Sequence, residues 1–139
     1  TLRCLHPAAG ETLNEPNEYS IVLGLSYRDF SAMLTGDVEN GGERQLVRYL
    51  EEEEDFHRVT VLKAAHHGSK NSTGEEFLRT VRPQLAVISA GKNNKYGHPH
   101  EELLMRIEDE GSLIYETAKK GAVTAEVEGK RVRVRGFLD

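Results

Sequence analysis

Four side chains suited to metal or acid–base chemistry stand where an apolar run of the sequence breaks off. They are Asp37, the adjacent pair His66 and His67, and His98. Each follows a stretch rich in strand-forming residues, and in layered α/β folds ligands collect outside the carboxyl ends of the strands. We therefore predict that these four residues, which are far apart in the sequence, lie together at one edge of a sheet.

A carboxylate and several imidazoles form a suitable donor set for a divalent cation. Asp oxygen and neutral His nitrogen bind such an ion while leaving a position open for water, and zinc, manganese and iron accept these donors alike. The bound ion lowers the pKa of water to about 7, which supplies a hydroxide nucleophile at neutral pH. With two ions, Asp37 can bridge both, and a nearby unligated histidine can protonate a leaving oxygen.

The composition limits the kinds of site and partner. With 139 residues, 37% of them hydrophobic and 29% charged, the chain has the length of one globular domain. Cys4 is the only cysteine, so any metal is held by nitrogen and oxygen donors and no internal disulfide forms. The net charge of −5 argues against a general electrostatic grip on nucleic acid. No apolar run reaches the roughly 18 residues of a membrane span.

The elements that must position these residues alternate along the chain. Strands are predicted at residues 2–5, 19–26, 30–35, 58–65, 84–90 and 112–117, with a closing hairpin of residues 122–127 and 130–136. Helices are predicted at residues 42–54, 77–81 and 99–111. Asn40 with Glu43, and Thr73 with Glu76, have the spacing of capping boxes. The alternation predicts a single α/β domain, residues 1–139, with about three helices packed on a mixed β-sheet.

Simpler structural roles compete with the chemical ones. Asp37 after Thr-Gly has the pattern of a turn residue, and His98 before proline has that of a loop histidine. His57 and His100 do not follow a strand, and we expect both at the surface. Ser69 lacks the flanking glycines of a nucleophile elbow, so a hydrogen-bonding or capping role is favoured.

Two further patterns each leave an alternative open. Alternation along a strand points His66 and His67 in opposite directions, so we expect one ring to face the site and the other to pack or form hydrogen bonds behind it. Arg131, Arg133 and Arg135 share one face of the last predicted strand. Such a stripe is typical of a solvated edge, and a phosphate-binding stripe is the alternative.

The motifs occur in an order that resembles one known family. Leu-His-Pro at residues 5–7, Thr-Gly-Asp at 35–37, His-His-Gly-Ser at 66–69 and Asn-x-x-x-His-Pro at 94–99 follow one another. This order resembles the metallo-β-lactamase-like domain of ComEC-type DNA-uptake competence proteins, over essentially the whole chain. The resemblance implies a metallohydrolase with two divalent ions, zinc or manganese, that acts on DNA or another phosphodiester as a nuclease.

The resemblance also implies roles for individual residues. Asp37 matches the aspartate that bridges the metal ions, and His98 matches the last histidine ligand. His67, with His66 close behind, matches the histidine at the strand-to-loop junction, and His6 matches a middle ligand. The implied catalytic residues are thus Asp37, His66 and His67, and the implied metal ligands are Asp37, His67, His98 and His6.

The chain departs from this family in one large respect. Members carry a His-x-His-x-Asp-His cluster that supplies most ligands of one ion, and this chain has no such segment. The resemblance therefore implies the C-terminal half of an αββα sandwich, with the N-terminal half-domain as a missing partner and little activity in the chain alone. An uncovered sheet face would favour a homodimer. Two other functions stay open: a catalytically silent module that binds nucleic acid or a partner, and a metallohydrolase of small phosphate esters.

Overall fold

A mixed β-sheet is the framework of the molecule. In the computed structural model, which describes residues 1–10 and 12–139, six strands lie in chain order across this sheet. They are β1 Leu2–His6, β2 Val22–Tyr27, β3 Phe30–Leu34, β4 Val61–Lys63, β5 Leu85–Ile88 and β6 Leu113–Glu116. Neighbouring strands from β1 to β3 are antiparallel, whereas those from β3 to β6 are parallel. The prediction of a mixed sheet in an α/β domain is confirmed.

Helices fill the connections between the parallel strands. Their bounds are α1 Asn40–Glu51 between β3 and β4, α2 Glu75–Val81 between β4 and β5, α3 Glu101–Asp109 between β5 and β6, and α4 Thr117–Lys120 after β6. The first three were predicted, and the one-turn α4 was not. Right-handed crossovers between successive parallel strands place α1, α2 and α3 on the same face of the sheet. Within the described ranges, no helix has the length and apolar character that crossing a membrane requires.

The hydrophobic core lies between these helices and the sheet. Leu50, Phe77 and Ile107 from the three helices are buried together with Met33 and Leu62 from the strands. Burying a large apolar side chain contributes about 1.5–3 kcal/mol, so this face holds the strands firmly in place. The parallel strands consequently end at one common edge, where the predicted functional residues begin.

Neither predicted capping box forms, and one glutamate joins two helices instead. The N-cap residues are Glu39 for α1 and Gly74 for α2, and neither helix has a side-chain cap of its own. Glu43 of α1 accepts hydrogen bonds from the backbone N–H groups of Thr73 and Gly74, at 2.5 and 2.9 Å, and so caps α2. Spacing along the sequence cannot show that a carboxylate accepts hydrogen bonds from the backbone N–H groups at the start of a different helix.

The last two strands form a separate antiparallel hairpin, as predicted. They are β7 Val123–Glu128 and β8 Arg131–Gly136. Val132 and Val134 line a cavity of about 280 Å³ together with Leu113 of the main sheet. The alternation of β8 leaves its arginines exposed on the outer side. The hairpin therefore lies against part of the sheet face that the helices leave bare.

The rest of that face is apolar and open. Leu2 pairs with Leu25 across β1 and β2, and the strand register places Leu34 and Leu113 on the same face. These four leucines are 63%, 37%, 46% and 68% exposed in the order named. Exposed apolar side chains on a sheet face are suited to contact with a further element or partner. The predicted homodimer and the predicted second half-domain both stay predictions for this surface.

Candidate functional site

The carboxyl ends of β3, β4 and β5 meet at one edge of the sheet, where the backbone turns sharply. Gly36 after β3 has a φ of 55°, and Asp37 follows it. Beyond β4, His66 and His67 have φ values of 45° and 54° inside a 3₁₀ turn at Ala65–Gly68. Left-handed backbone at a non-glycine residue costs on the order of 1–3 kcal/mol, and it clusters at functional sites.

This turn overturns the predicted orientation of the histidine pair. β4 ends at Lys63, before the pair, so the alternation of the strand does not extend to the two imidazoles. Both rings line one cavity of about 230 Å³, whose walls are Asp37, His66, His67, Tyr96 and His98. The expected opposite orientation of the two rings is therefore wrong, because left-handed residues do not alternate as extended ones do. The four predicted residues do lie together.

Gly68 permits the close approach that brings His98 to the histidine pair. Its φ is 89°, and a Cβ at this position would lie 2.7 Å from the Cβ of Pro99. The backbone N–H of His100 also donates to the carbonyl oxygen of Gly68 at 2.9 Å. The segment that carries His98 therefore packs directly against the turn that carries His67.

One backbone hydrogen bond orients His67. Its Nδ1 donates to the carbonyl oxygen of Ser89 at 2.7 Å, and because a carbonyl only accepts, the hydrogen is on Nδ1. Nε2 then carries a lone pair and lies 3.8 Å from Oδ1 of Asp37. This distance is too long for a direct hydrogen bond. Two electron-rich atoms that face each other in this way favour a cation or a proton between them.

A carboxylate that the sequence analysis missed orients His66. The Nδ1 of His66 donates to Oε2 of Glu39 at 3.1 Å, and Oε1 of Glu39 accepts from Nδ2 of Asn17 at 3.0 Å. An imidazole that binds metal commonly donates its other nitrogen to such a carboxylate. The available sequence signal was a second acidic residue two positions after Asp37.

Asn94 organises the loop that ends at His98. Its side-chain nitrogen donates to the carbonyl oxygens of Gly91 and His98, at 2.9 and 2.5 Å. Its side-chain oxygen accepts from the backbone N–H groups of Tyr96 and His98, at 3.2 and 3.0 Å. Four hydrogen bonds from one side chain hold this loop in a single conformation, which explains the asparagine four residues before the histidine.

Burial and neighbouring imidazoles lower the pKa of His98. Burial is the largest cause, followed by the positive charges of His100, His66 and His67, while Asp37 acts in the opposite direction. The rings of His98 and His66 lie 5.7 Å apart between centroids. The neutral imidazole, which is the form that binds a metal ion, is thereby favoured at His98.

Lys63 places a cation beside the carboxylate. Its Nζ donates to the carbonyl oxygen of Gly36 at 3.1 Å, next to Asp37. Burial lowers the pKa of Lys63, and the charge of Asp37 opposes that shift. No role was predicted for Lys63, although a half-buried lysine as the last residue of a strand is unusual enough to serve as a signal.

Two other predicted residues have structural partners instead of a place at the cavity. His6 is buried at the end of β1, and its Nε2 donates to the carbonyl oxygen of Glu18 at 2.7 Å. That bond places the lone pair of the neutral ring on Nδ1, and His6 does not line the cavity that contains Asp37, so its ligand role stays a prediction. Ser69 is buried, and its Oγ accepts from the backbone N–H of Asn71 at 3.3 Å, as expected for a turn residue.

The two histidines expected at the surface are both half-buried, so that prediction is wrong. The Nε2 of His57 donates to the carbonyl oxygen of Leu50 at 2.5 Å, at the end of α1. The Nδ1 of His100 accepts from the backbone N–H of Lys70 at 3.0 Å. The His100 ring lies 4.7 Å from the ring of His98, which places His100 directly behind the site.

Comparison with known proteins gives the setting of this site. No protein-family model matches the chain. The chain is similar to ComE operon protein 3 of Bacillus subtilis (strain 168), with 38% identity over 119 residues, 86% of this chain and 15% of that protein. It is also similar to Competence protein ComA of Neisseria gonorrhoeae, with 32% identity over 138 residues, 96% of this chain and 19% of that protein. The second of these relatives is named as a competence protein, and the chain is similar to a segment of each.

A further relative is named as a recombination protein. Recombination protein 2 of Haemophilus influenzae is 36% identical over 107 residues, which cover 77% of this chain and 13% of that protein. The chain thus spans less than a fifth of the length of each of these three relatives. Their similarity therefore applies to one segment of much longer proteins.

The donor types at the site of this chain fit a divalent cation, but the set is incomplete. Oδ1 of Asp37 and Nε2 of His67, 3.8 Å apart, can both contact one ion at the usual distance of about 2.1 Å. Within residues 1–10 and 12–139, no group of three His, Cys, Asp or Glu side chains is placed to hold a metal ion. A bound ion at this edge therefore requires donors beyond this pair in their present positions.

Proposed function

We propose that this chain is part of a metal-dependent hydrolase that cleaves phosphodiester bonds of DNA during DNA uptake. The observation that carries the proposal is the lone pair of His67 Nε2 facing Oδ1 of Asp37 across 3.8 Å at the carboxyl edge of the sheet. The competence relatives support the setting. The concentration of strained backbone and imidazoles at the same edge supports a chemical role for it.

We further propose that the fold is the second half of a metallo-β-lactamase-like sandwich. The open apolar face around Leu25 and Leu34 supports this, because a second sheet would cover it. Residues outside 1–139 would then complete both the core and the ligand set. The much greater length of the relatives is in accord with such a segment.

In this proposal Asp37, His67 and His98 hold divalent ions of the zinc or manganese class, two in the complete domain. When bound, the ions supply Lewis-acid polarisation of the phosphate and activation of water. His66 lines the cavity with its Nδ1 donating to Glu39, and as an imidazolium it would give its Nε2 proton to the leaving oxygen and become the neutral ring. Lys63 adds a positive charge that attracts the phosphate to this edge.

Replacement of Asp37 tests the proposal. In the longest natural protein that contains this chain, elemental analysis should find zinc or manganese, and Asp37→Ala should lower both metal content and DNA cleavage. We expect a loss on the order of 100-fold or more, because even partners behind a metal ligand are worth about 10–100-fold. Asp29→Ala, at the exposed turn between β2 and β3, is the matched control. No bound metal, or unchanged cleavage in Asp37→Ala, would overturn the proposal.

A further inference from the structure

A second, smaller cavity adjoins the first and shares a wall with it. Its volume is about 190 Å³, and its walls are His67, Ala90, Gly91, Asn94, Tyr96 and His98. Three of these residues, His67, Tyr96 and His98, also line the cavity that contains Asp37. A ligand longer than a single phosphate group, bound at Asp37, therefore passes Tyr96 as it enters the second cavity.

Tyr96 presents an aromatic ring to solvent beside His98. It is 64% exposed, and its ring stacks on that of His98 with 5.8 Å between centroids and 27° between planes. The Asn94 side chain holds its backbone N–H. An exposed ring that already stacks on a neighbouring ring, on an ordered backbone, is suited to stacking on a planar ligand group, because less ordering is needed on binding.

Positive charge accompanies this ring. Nζ of Lys95 lies 4.9 Å from the centroid of the Tyr96 ring, and Lys92 is exposed in the same loop. The chain as a whole has a net charge of −5, so this loop is a local exception. An aromatic ring with adjacent lysines is the combination that binds a base and its backbone phosphate in single-stranded nucleic acid.

We propose that Tyr96 is a substrate-positioning residue that stacks on a nucleobase next to the cleaved phosphate, with Lys95 at a neighbouring backbone phosphate. The inference rests on the proposed function and assigns its substrate class as single-stranded or frayed nucleic acid. Every base offers a ring face, so the contact tolerates any sequence. A base inside a duplex is already stacked on its neighbours, and a small phosphate ester without a ring has nothing to stack.

Binding without metal separates this inference from the hydrolase proposal. Fluorescence anisotropy with the purified full chain in excess chelator would compare a labelled single-stranded oligonucleotide with an abasic one of equal length and charge. The variants are Tyr96→Leu, which removes the ring, and Tyr96→Phe, which keeps it. Tyr27→Leu is the matched control, since Tyr27 is 51% exposed with Arg28 at 5.2 Å from its ring, at the opposite edge of the sheet.

We expect Tyr96→Leu to weaken binding of the base-bearing oligonucleotide on the order of tenfold. Tyr96→Leu should bind the abasic oligonucleotide as tightly as the unmodified protein does. Tyr96→Phe and Tyr27→Leu should bind both oligonucleotides with the affinities of the unmodified protein. An equal loss for both oligonucleotides, no loss for either, or no oligonucleotide binding by the unmodified protein would overturn the inference. Base-dependent binding in a protein that never cleaves would uphold it while the hydrolase proposal fails.

Discussion

The strand ends that carry the histidines and the outer face of the hairpin hold their charged groups in different ways. We name the first region the histidine edge; its residues are Asp37, His66, His67 and His98. There, defined backbone or side-chain partners orient the rings, as the carbonyl oxygen of Ser89 does for His67 and Glu39 does for His66. At the second, the arginine stripe (Arg131, Arg133 and Arg135), the side chains are exposed. Arg135 binds Glu126 at 2.9 Å, and both Glu126 and Glu128 line the same groove as Arg131 and Arg133.

This difference separates a built site from a solvated surface. Exposed ion pairs contribute about 0–1 kcal/mol, and a groove with balanced charges has little attraction for a phosphate chain. At the histidine edge, backbone strain is retained and polar groups converge on a cavity, which a purely structural turn does not require. In this molecule, the number of charged groups in a region is therefore a poorer guide to function than the partners that hold those groups in place.

The largest expected difference between the two regions concerns their glycines. Gly68→Ala and Gly129→Ala both place a side chain on left-handed backbone, at a cost of about 1–2 kcal/mol each. Only at Gly68 does the new Cβ meet another group, Pro99, whereas nothing lies within 4 Å at Gly129. We therefore expect Gly68→Ala to lower the free energy of unfolding, measured in urea, by about 1–3 kcal/mol more than Gly129→Ala does. Equal losses would show that the close approach at the histidine edge carries no strain.

The next effect concerns the carboxylate behind His66. Glu39→Gln keeps the size of the side chain but weakens the hydrogen bond to Nδ1 of His66, the proposed proton donor, so we expect cleavage to fall about 10–100-fold while metal content stays the same. Glu128→Gln on the hairpin is the control and should change neither. Cleavage rates and elemental analysis of each variant provide the measurement. Unaltered cleavage in Glu39→Gln would mean that His66 needs no orienting partner.

A pH effect of intermediate size arises from Glu43, whose carboxyl is buried behind the histidine edge. Burial raises its pKa above the ordinary value of 4.5, against the opposing hydrogen bonds from Gly74 and Thr73. The folded protein therefore holds this proton more tightly than the unfolded chain does. The stabilisation is complete below pH 4.5 and is lost as the pH rises through the folded-state pKa.

Glu43→Gln removes this dependence. The stability of the unmodified protein relative to the variant should fall as the pH rises above 4.5, with a slope of at most about 1.4 kcal/mol per pH unit, because one proton is lost. Urea unfolding of both proteins across the acidic range provides the measurement. A relative stability of the unmodified protein that instead rises with pH would show that the hydrogen bonds to α2 outweigh the burial of the carboxyl.

The smallest effect is expected at the arginine stripe. Replacing Arg131 and Arg133 with serine should change oligonucleotide affinity less than about twofold and leave cleavage unaltered, because the acidic residues of the groove already offset these charges. Affinity measured over a range of salt concentrations is the test. A marked loss of affinity and a shallower salt dependence would assign the phosphate contacts to the hairpin instead.

Part of the site could be predicted because it depends on local pattern. Apolar runs that end in polar residues predicted the three strand ends, and parallel strands brought Asp37, His67 and His98 to one edge. The backbone beyond the strands could not be predicted. Whether His66 continues the strand or enters a left-handed turn depends on Gly68 and on packing against Pro99, more than thirty residues further along the chain.

The amino-acid sequence by itself determined the α/β class, the mixed sheet and the clustering of the four candidate residues, because these follow from periodicity and strand order. The tertiary structure alone decided which partner each polar group has. Glu43 caps a helix other than its own, Glu39 orients His66, and Glu18 occupies the Nε2 of His6. A hydrogen-bond partner is set by distance in space after packing, and residues far apart in the sequence carry no local sign of it.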